Sequence, residues 1–180
     1  EKSNLKVFNL ELLQTHGGSV RFYVCKNTAK YSVSKKVNDL RTKELNQGLH
    51  RLSTYKSFAK RVKNSKKELR LLLKRLKNKG KKVISFGATY KSATIFNYCN
   101  IGNNLIKYVL DSTKNKQGKY TPGKHILIKP SDGGIPKDVD YAFLGAWNFL
   151  KEIKKKENKF LKRGGKFITH VPKVRIISFK

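Results

Sequence analysis

Residues 81–99, KKVISFGATYKSATIFNYC, decide the fold of this chain. A short apolar run, 83–86, ends at the single glycine Gly87, and a stretch of small, hydroxyl and apolar residues follows it. A buried strand that turns directly into a helix is the opening unit of a parallel sheet. Further apolar runs, LIKYVLDS, VDYAFLGA and KFITHV, alternate with helical segments. We therefore predict an α/β fold, a Rossmann-like and mostly parallel sheet with helices on both faces.

The first 26 residues show a different pattern. Apolar and polar residues alternate on both sides of Gly17-Gly18, which predicts a β-hairpin. Because an isolated hairpin is marginally stable in water, we expect residues 1–26 to complete a sheet formed by preceding sequence. Residues 27–49 are polar and predict a connector with a helical portion. Residues 50–180 form the predicted α/β domain, which opens with a helix capped by Ser53 or Thr54 and ended by Gly80.

Composition limits the kind of protein. The 180 residues include no methionine, so we expect them to be part of a longer polypeptide.

The net charge of +31 comes from 42 Lys+Arg against 11 Asp+Glu, and a charge of that size attracts polyanions. The lysines are dispersed, however, and we expect nucleic acid to bind only non-specifically. No apolar run approaches the roughly 20 residues of a membrane span, so we predict a cytoplasmic protein with no membrane partner.

Catalytic and metal-binding signals are weak in this sequence. Cys25 and Cys99 are isolated, which favours small core residues over a disulfide or a metal site. The four histidines are scattered along the chain, and proximity in sequence suggests no Ser/His/Asp or Cys/His pairing. We therefore predict no catalytic residue and no metal ligand within these 180 residues.

The first candidate binding element is the turn FGATYKSAT after the first strand of the sheet. Ligands of open α/β sheets bind outside the carboxyl ends of the strands, and a helix start favours a phosphate group. The alternative is a tight turn at Gly87 with a solvated lysine. The segment lacks the second glycine of a P-loop and the glycines of G-x-G-x-x-G. The candidate residues are Gly87, Thr89, Tyr90, Lys91 and Ser92.

Three other elements follow predicted strands at the same edge. Asp111 follows the second strand, 24 positions after Gly87; it either binds a ribose diol or forms a turn. Trp147 and Asn148 follow VDYAFLGA, where the indole can stack on a base or sugar ring and the amide can bind ligand or cap a helix. Lys116, in the loop after Asp111, completes the candidate substrate-binding residues of this domain.

Five ordered blocks carry a family resemblance: HGGSVRFYV, GKKVISFGATYKSATIFNYC, DSTKNKQGKYTPGKHI, AFLGAWNF and RGGKFITHVPKVRII. Together they resemble the C-terminal region of bacterial SAM-dependent sugar C-methyltransferases. The resemblance implies a nucleotide-diphosphate-linked keto-deoxy sugar as substrate, S-adenosyl-L-methionine as methyl donor, and an upstream domain of the same polypeptide as partner.

The resemblance also implies where the chemistry lies. In this family a base removes a proton next to a keto group and the resulting enolate takes the methyl group. The base, the SAM loop and the zinc cysteines would all precede Glu1, so we expect this chain alone to be inactive. Residues 1–26 would be the last hairpin of the SAM domain, and His16, Ser19 and Arg21 would line a cleft between domains, unless Gly17-Gly18 only form the turn.

Two other functions remain open from the residues alone. A dinucleotide-binding domain of an oxidoreductase fits the fold class, and a basic nucleic-acid-binding protein fits the charge. Binding tests with sugar nucleotides, NAD and single-stranded DNA separate the three functions.

Overall fold

The computed structural model describes residues 3–179, which divide into two compact units, 1–60 and 61–180. Within the described residues, no helix combines the length and the apolar character that a bilayer crossing requires.

The first unit contains the predicted hairpin. Strands β1 (Leu5–Leu13) and β2 (Ser19–Lys26) pair antiparallel, with an irregularity between Val7 and Asn9. A short 3₁₀ turn, Thr15–Gly17, joins them. Helix α1 (Lys35–Asn46) packs along β1, and the Ser34 N–H before it donates to Phe8 O at 2.8 Å. This helix is the helical portion predicted in the connector.

One face of the hairpin is apolar and largely open. Val20, Phe22 and Val24 alternate along β2 and are all exposed, as is Leu12, which pairs with Val20. Leu10 is the only residue of β1 and β2 that is fully buried. The alternation predicted from sequence is present, but most of its apolar side chains have no cover within this unit.

Helix α2 (Leu52–Asn78) follows. The predicted caps Ser53 and Thr54 are wrong, because both lie inside the helix and the Thr54 hydroxyl donates to Gly48 O at 2.7 Å. In the second unit its buried side chains are Leu69, Leu73 and Leu76. The helix ends two residues before Gly80, whose φ of 67° has the left-handed value typical of a helix end.

The second unit is a six-stranded sheet in the order β5-β4-β3-β6-β7-β8. All neighbours pair parallel except β7 and β8. The strands are β3 (Val83–Phe86), β4 (Val109–Asp111), β5 (Ile128–Pro130), β6 (Tyr141–Leu144), β7 (Lys166–Thr169) and β8 (Arg175–Ile177). The mostly parallel sheet confirms the predicted fold class. The antiparallel edge strand β8 was not predicted.

Helices cover both faces of this sheet. On one face, α2 and α3 (Tyr90–Cys99) pack over side chains that include Val83, Val109 and Phe143. On the other face, α4 (Leu150–Lys156) and α5 (Asn158–Lys162) pack over a second set that includes Ile84 and Leu110. Every residue of β3 is buried, Ser85 included, as expected for a strand that is covered on both faces.

The sequence predicts a single helix from Asn148 to Arg163, and this prediction is wrong. The helix is interrupted at Glu157, between α4 and α5. The Glu157 side chain is buried and accepts the Ile135 N–H at 3.0 Å. An unpartnered carboxylate or amide would be costly in the core, so this contact stabilises the buried Glu157 side chain at the break between the two helices.

Candidate functional site

The order of the strands places a crevice at the carboxyl ends of β3 and β6. The chain runs from β3 through β4 to β5 in one direction and then returns to β6 on the other side of β3. Connections therefore leave β3 and β6 in opposite directions, and ligands of open α/β sheets bind at such a point. The predicted residues after β3, β4 and β6 share this edge.

Two glycines bring the turns after β3 and β6 into contact. Gly87 has a φ of 94°, which favours glycine. At Gly145 a methyl group would lie 2.4 Å from Gly87 O and 2.7 Å from Ser92 Cβ. Thr89 fixes the same contact, since its hydroxyl donates to Gly145 O at 3.0 Å. The sequence pattern indicated Gly87 but not Gly145. The feature that could have identified Gly145 is its position directly after an apolar strand.

The start of α3 is closed by its own side chains. The Thr89 and Ser92 side chains each accept the other residue's backbone N–H, at 3.1 and 2.9 Å, which is a capping box. Before the helix, the Ala88 N–H donates to Asp111 Oδ2 at 2.7 Å. The N–H groups of Ala88, Thr89 and Ser92 are therefore engaged within the protein.

Asp111 joins the ends of β3 and β4. Its Oδ2 accepts from Ala88, and its Oδ1 accepts the Thr113 N–H at 2.8 Å. The ammonium of Lys116 lies 3.7 Å from Oδ2 and donates to Ala88 O at 2.9 Å. Burial alone would raise the pKa of Asp111, but the hydrogen bonds from Thr113 and Ala88 and the Lys116 charge outweigh it and lower the pKa. Asp111 is therefore an ionised acceptor at neutral pH.

A pocket of about 450 Å³ opens at this edge, a volume suited to a small molecule. We call it the edge pocket. Of the predicted residues, Gly87, Thr89, Asp111 and Lys116 line it. Other polar residues that line the pocket were not predicted from sequence. Ser131 directly follows β5, and Glu152 and Lys156 lie four residues apart on α4. The rule of strand ends identifies Ser131, whereas the α4 residues become recognisable only when the helix orientation is known.

A separate contact joins α3 to the turn after β6. The Lys91 ammonium donates to Asn148 Oδ1 at 3.0 Å and lies 5.2 Å from the centre of the Trp147 ring. The N-cap of α4 is Phe149 rather than Asn148. Lys91, Trp147 and Asn148 are not among the residues that line the edge pocket. They lie at the same edge of the sheet as a neighbouring polar and aromatic cluster.

The remaining predicted residues have other surroundings. Tyr90 is almost fully exposed, and Ser92 is buried within the capping box. His16, Ser19 and Arg21 belong to the first unit, where the Arg21 guanidinium pairs with Glu11 at 3.1 Å. Among residues 3–179, no group of three or more His, Cys, Asp or Glu side chains could hold a metal ion.

The sequence of this chain is similar to that of known C-methyltransferases. Residues 14–172 match the model of the C-methyltransferase C-terminal domain family. The C-methyltransferase NovU of Streptomyces niveus is 33% identical over 178 residues, an alignment that covers 99% of this chain. The chain spans 42% of the length of that relative. The family match covers most of the sequence and confirms the resemblance carried by the five sequence blocks: the chain belongs to the C-methyltransferase C-terminal domain family.

Proposed function

We propose that this chain is the substrate-binding part of a C-methyltransferase that acts on a nucleotide-diphosphate-linked keto-deoxy sugar. The observation that carries the proposal is the edge pocket, which combines a lysine, a buried ionised carboxylate and hydroxyl groups at the carboxyl ends of β3, β4 and β5. A lysine can pair with a diphosphate, while a carboxylate that retains free lone pairs can accept hydrogen bonds from sugar hydroxyls.

Within the proposal, Lys116 is the main cation for the diphosphate. Its ammonium lies at the edge pocket and is held by Ala88 O and Asp111, so its position is fixed before ligand arrives. Lys91 adds positive charge at the same edge of the sheet, with Trp147 and Asn148 beside it. The turn FGATYKSAT by itself favours Lys91 as the phosphate ligand, but Lys91 does not line the edge pocket, so we propose Lys116 instead.

The methyl donor of the proposed reaction is S-adenosyl-L-methionine. The turn after β3 does not fit this cofactor, because it contains one glycine and its Ala88 and Thr89 N–H groups are engaged by Asp111 and Ser92. We therefore assign SAM, any zinc site and the catalytic base to preceding polypeptide, and we propose that residues 3–179 hold substrate only. The purified 180-residue chain would then bind nucleotide sugar and transfer no methyl group.

The exposed face of the hairpin supports a preceding domain as partner. Phe22 is 55% exposed and Leu12 is 64% exposed, although both belong to regular strands with an alternating pattern. We propose that β1 and β2 pack against a methyltransferase domain through this face. His16, Ser19 and Arg21, at the turn end of the hairpin, then line a cleft between the hairpin and that domain. The enzyme as a whole would work in the cytoplasm.

Calorimetric titration of the complete natural polypeptide with TDP-, GDP- and CDP-sugars tests the proposal. Replacing Lys116 by Ala should weaken binding about 10- to 100-fold, because a hydrogen bond to a charged group contributes roughly 1.5–3 kcal/mol. Lys91→Ala should also weaken nucleotide-sugar binding, by an equal or smaller factor. Lys81→Ala is the matched control, since Lys81 precedes β3 at the opposite edge of the sheet.

Affinities that are equal for the wild type, Lys116→Ala and Lys91→Ala would exclude the edge pocket as the diphosphate site. Tight binding of NAD with no binding of sugar nucleotides would instead favour a dinucleotide-binding oxidoreductase domain.

A further inference from the structure

A second pocket adjoins the edge pocket and shares Thr89 and Lys116 with it. It has a volume of about 400 Å³ and lies between the first turn of α3 and the loop 117–125. Tyr90, on α3, and Tyr120, in the loop, both line this pocket. Ala93 and Pro122 also line it. We call it the tyrosine pocket.

The two tyrosines contribute little to folding. Tyr90 is 95% exposed and Tyr120 is 61% exposed. A single exposed aromatic ring is ordinary on a protein surface, but here two line the same concave site. Exposed aromatic side chains that converge on a pocket are typical of ligand recognition, since a planar ring offers a large contact area and loses little conformational entropy.

The wall that carries Tyr120 is held in place by hydrogen bonds. The Gly118 N–H donates to Ile128 O at 2.9 Å, and the Ile128 N–H donates back to Lys119 O at 2.8 Å. Thr121 is buried, and its hydroxyl accepts the Ile126 N–H at 3.0 Å. These hydrogen bonds hold the loop in place, and a preorganised wall lowers the entropic cost of binding.

Helix α3 fixes the same loop from the other side. The Asn97 amide donates to Pro122 O at 3.0 Å and to Ala93 O at 2.9 Å. Gly123 packs so closely that a methyl group there would overlap the Asn97 side chain. Tyr90 and Tyr120 are thus attached to two elements whose separation is set by direct contacts.

We propose that the tyrosine pocket receives the base of the nucleotide, with the base in contact with the Tyr90 and Tyr120 rings. The inference rests on the proposed function. Because Lys116 lines both pockets, a nucleotide that spans them presents its diphosphate to Lys116 and its base to the tyrosines. The carboxylate, hydroxyl and lysine groups of the edge pocket then face the sugar portions.

The test compares two probes in the complete natural polypeptide: a nucleoside diphosphate, chosen as the tightest binder among TDP, UDP, GDP and CDP, and inorganic pyrophosphate. Calorimetric titration of Tyr90→Ala and Tyr120→Ala should show nucleoside diphosphate affinity reduced about 5- to 100-fold, the range expected for loss of a base–aromatic stack. Pyrophosphate affinity should stay at the wild-type value, since it has no base.

Two further variants separate stacking from structural damage. Tyr90→Phe keeps the ring and should retain nucleoside diphosphate affinity within about twofold, because a hydroxyl is not needed for stacking. Tyr98→Ala is the matched control on the same helix: its ring is partly exposed, lies 4.5 Å from the Lys66 ammonium and does not line the pocket. It should leave both affinities unchanged.

The outcomes distinguish this inference from the proposed function. If Lys116→Ala weakens both probes while the two tyrosine-to-alanine variants bind like wild type, the base lies elsewhere and only this inference fails. Equal losses of pyrophosphate and nucleoside diphosphate in those variants would also overturn it. If no nucleoside diphosphate or sugar nucleotide binds the wild type, both fail together.

Discussion

The β1–β2 hairpin and the six-stranded sheet contain similarly apolar strands and bury them to different extents. In the sheet, Phe143 is fully buried between the rings of Phe96 and His170. In the hairpin, Phe22 is more than half exposed despite its regular pairing with Leu10. The comparison shows that strand pattern predicts which side chains share a face, while the helices packed on that face decide whether burial stabilises the protein.

The largest expected effect tests the buried side of this comparison. Phe143→Ala should lower the free energy of unfolding by about 3–5 kcal/mol, because a large cavity would form between β6 and the surrounding rings. Chemical denaturation of the 180-residue chain measures the change. A loss below about 1 kcal/mol would show that this face of the sheet is packed much less tightly than its burial indicates.

The second test uses the histidine in the same stack. The His170 ring lies 5.3 Å from the Phe143 ring, and its Nδ1 is buried without a hydrogen-bond partner in the described part of the chain. Burial lowers the pKa of His170 from 6.5 to about 4. Between these values the unfolded chain binds a proton that the folded chain does not, so stability should fall as pH falls.

That loss should total about 3 kcal/mol between pH 6.5 and pH 4, since each pKa unit corresponds to about 1.4 kcal/mol. Denaturation midpoints across this pH range measure it. His170→Phe keeps an aromatic ring on Phe143 and should flatten the dependence. An equally steep profile in the variant would assign the titration to other groups.

The smallest effect is expected in the hairpin. Phe22→Ala in the 180-residue chain should change the free energy of unfolding by about 0.5 kcal/mol or less, as is usual for exposed positions. In the complete natural polypeptide the same substitution should cost more than about 2 kcal/mol if a preceding domain covers this face. Chemical denaturation of both proteins under the same conditions measures the two changes in unfolding free energy. Equal small changes would contradict the proposed packing of β1 and β2.

Local patterns predicted the strand–turn–helix unit from β3 to α3, since its apolar run, its glycine and its helical periodicity lie within 20 consecutive residues. The same kind of reasoning failed at Glu157, because the N–H that its carboxylate accepts belongs to Ile135, in a different element. The spacing of apolar residues along α2 likewise predicts a buried face that includes Phe58 and Leu72. Phe58 is exposed, Leu72 is partly buried against the core, and Leu73, which the spacing does not select, is fully buried. Such details depend on partners that a local pattern does not contain.

Some features of the candidate site could likewise be predicted from local sequence, and others depended on contacts between distant residues. Strand ends predicted that Gly87, Asp111 and Trp147 share one edge, because parallel strands all finish there. The sequence did not predict that Asp111 and Ser92 would take up the N–H groups around the turn, since this depends on the distance between β3 and β4 and on the rotamer of Ser92. Tyr120 was missed as a lining residue because its loop becomes a pocket wall only through contacts with α3.

The close approach of Gly87 and Gly145 affects how sequences of this fold should be compared. Both glycines are required by the path of the backbone, whatever molecule the crevice receives. Their presence in another sequence would therefore be informative about architecture and uninformative about ligand choice. Under the proposed function, changes in specificity during evolution would instead accumulate at positions such as 90, 116 and 120, where side chains can be exchanged without moving the main chain. A ranking of positions by invariance alone would place the two glycines first and overlook the residues proposed to contact the substrate.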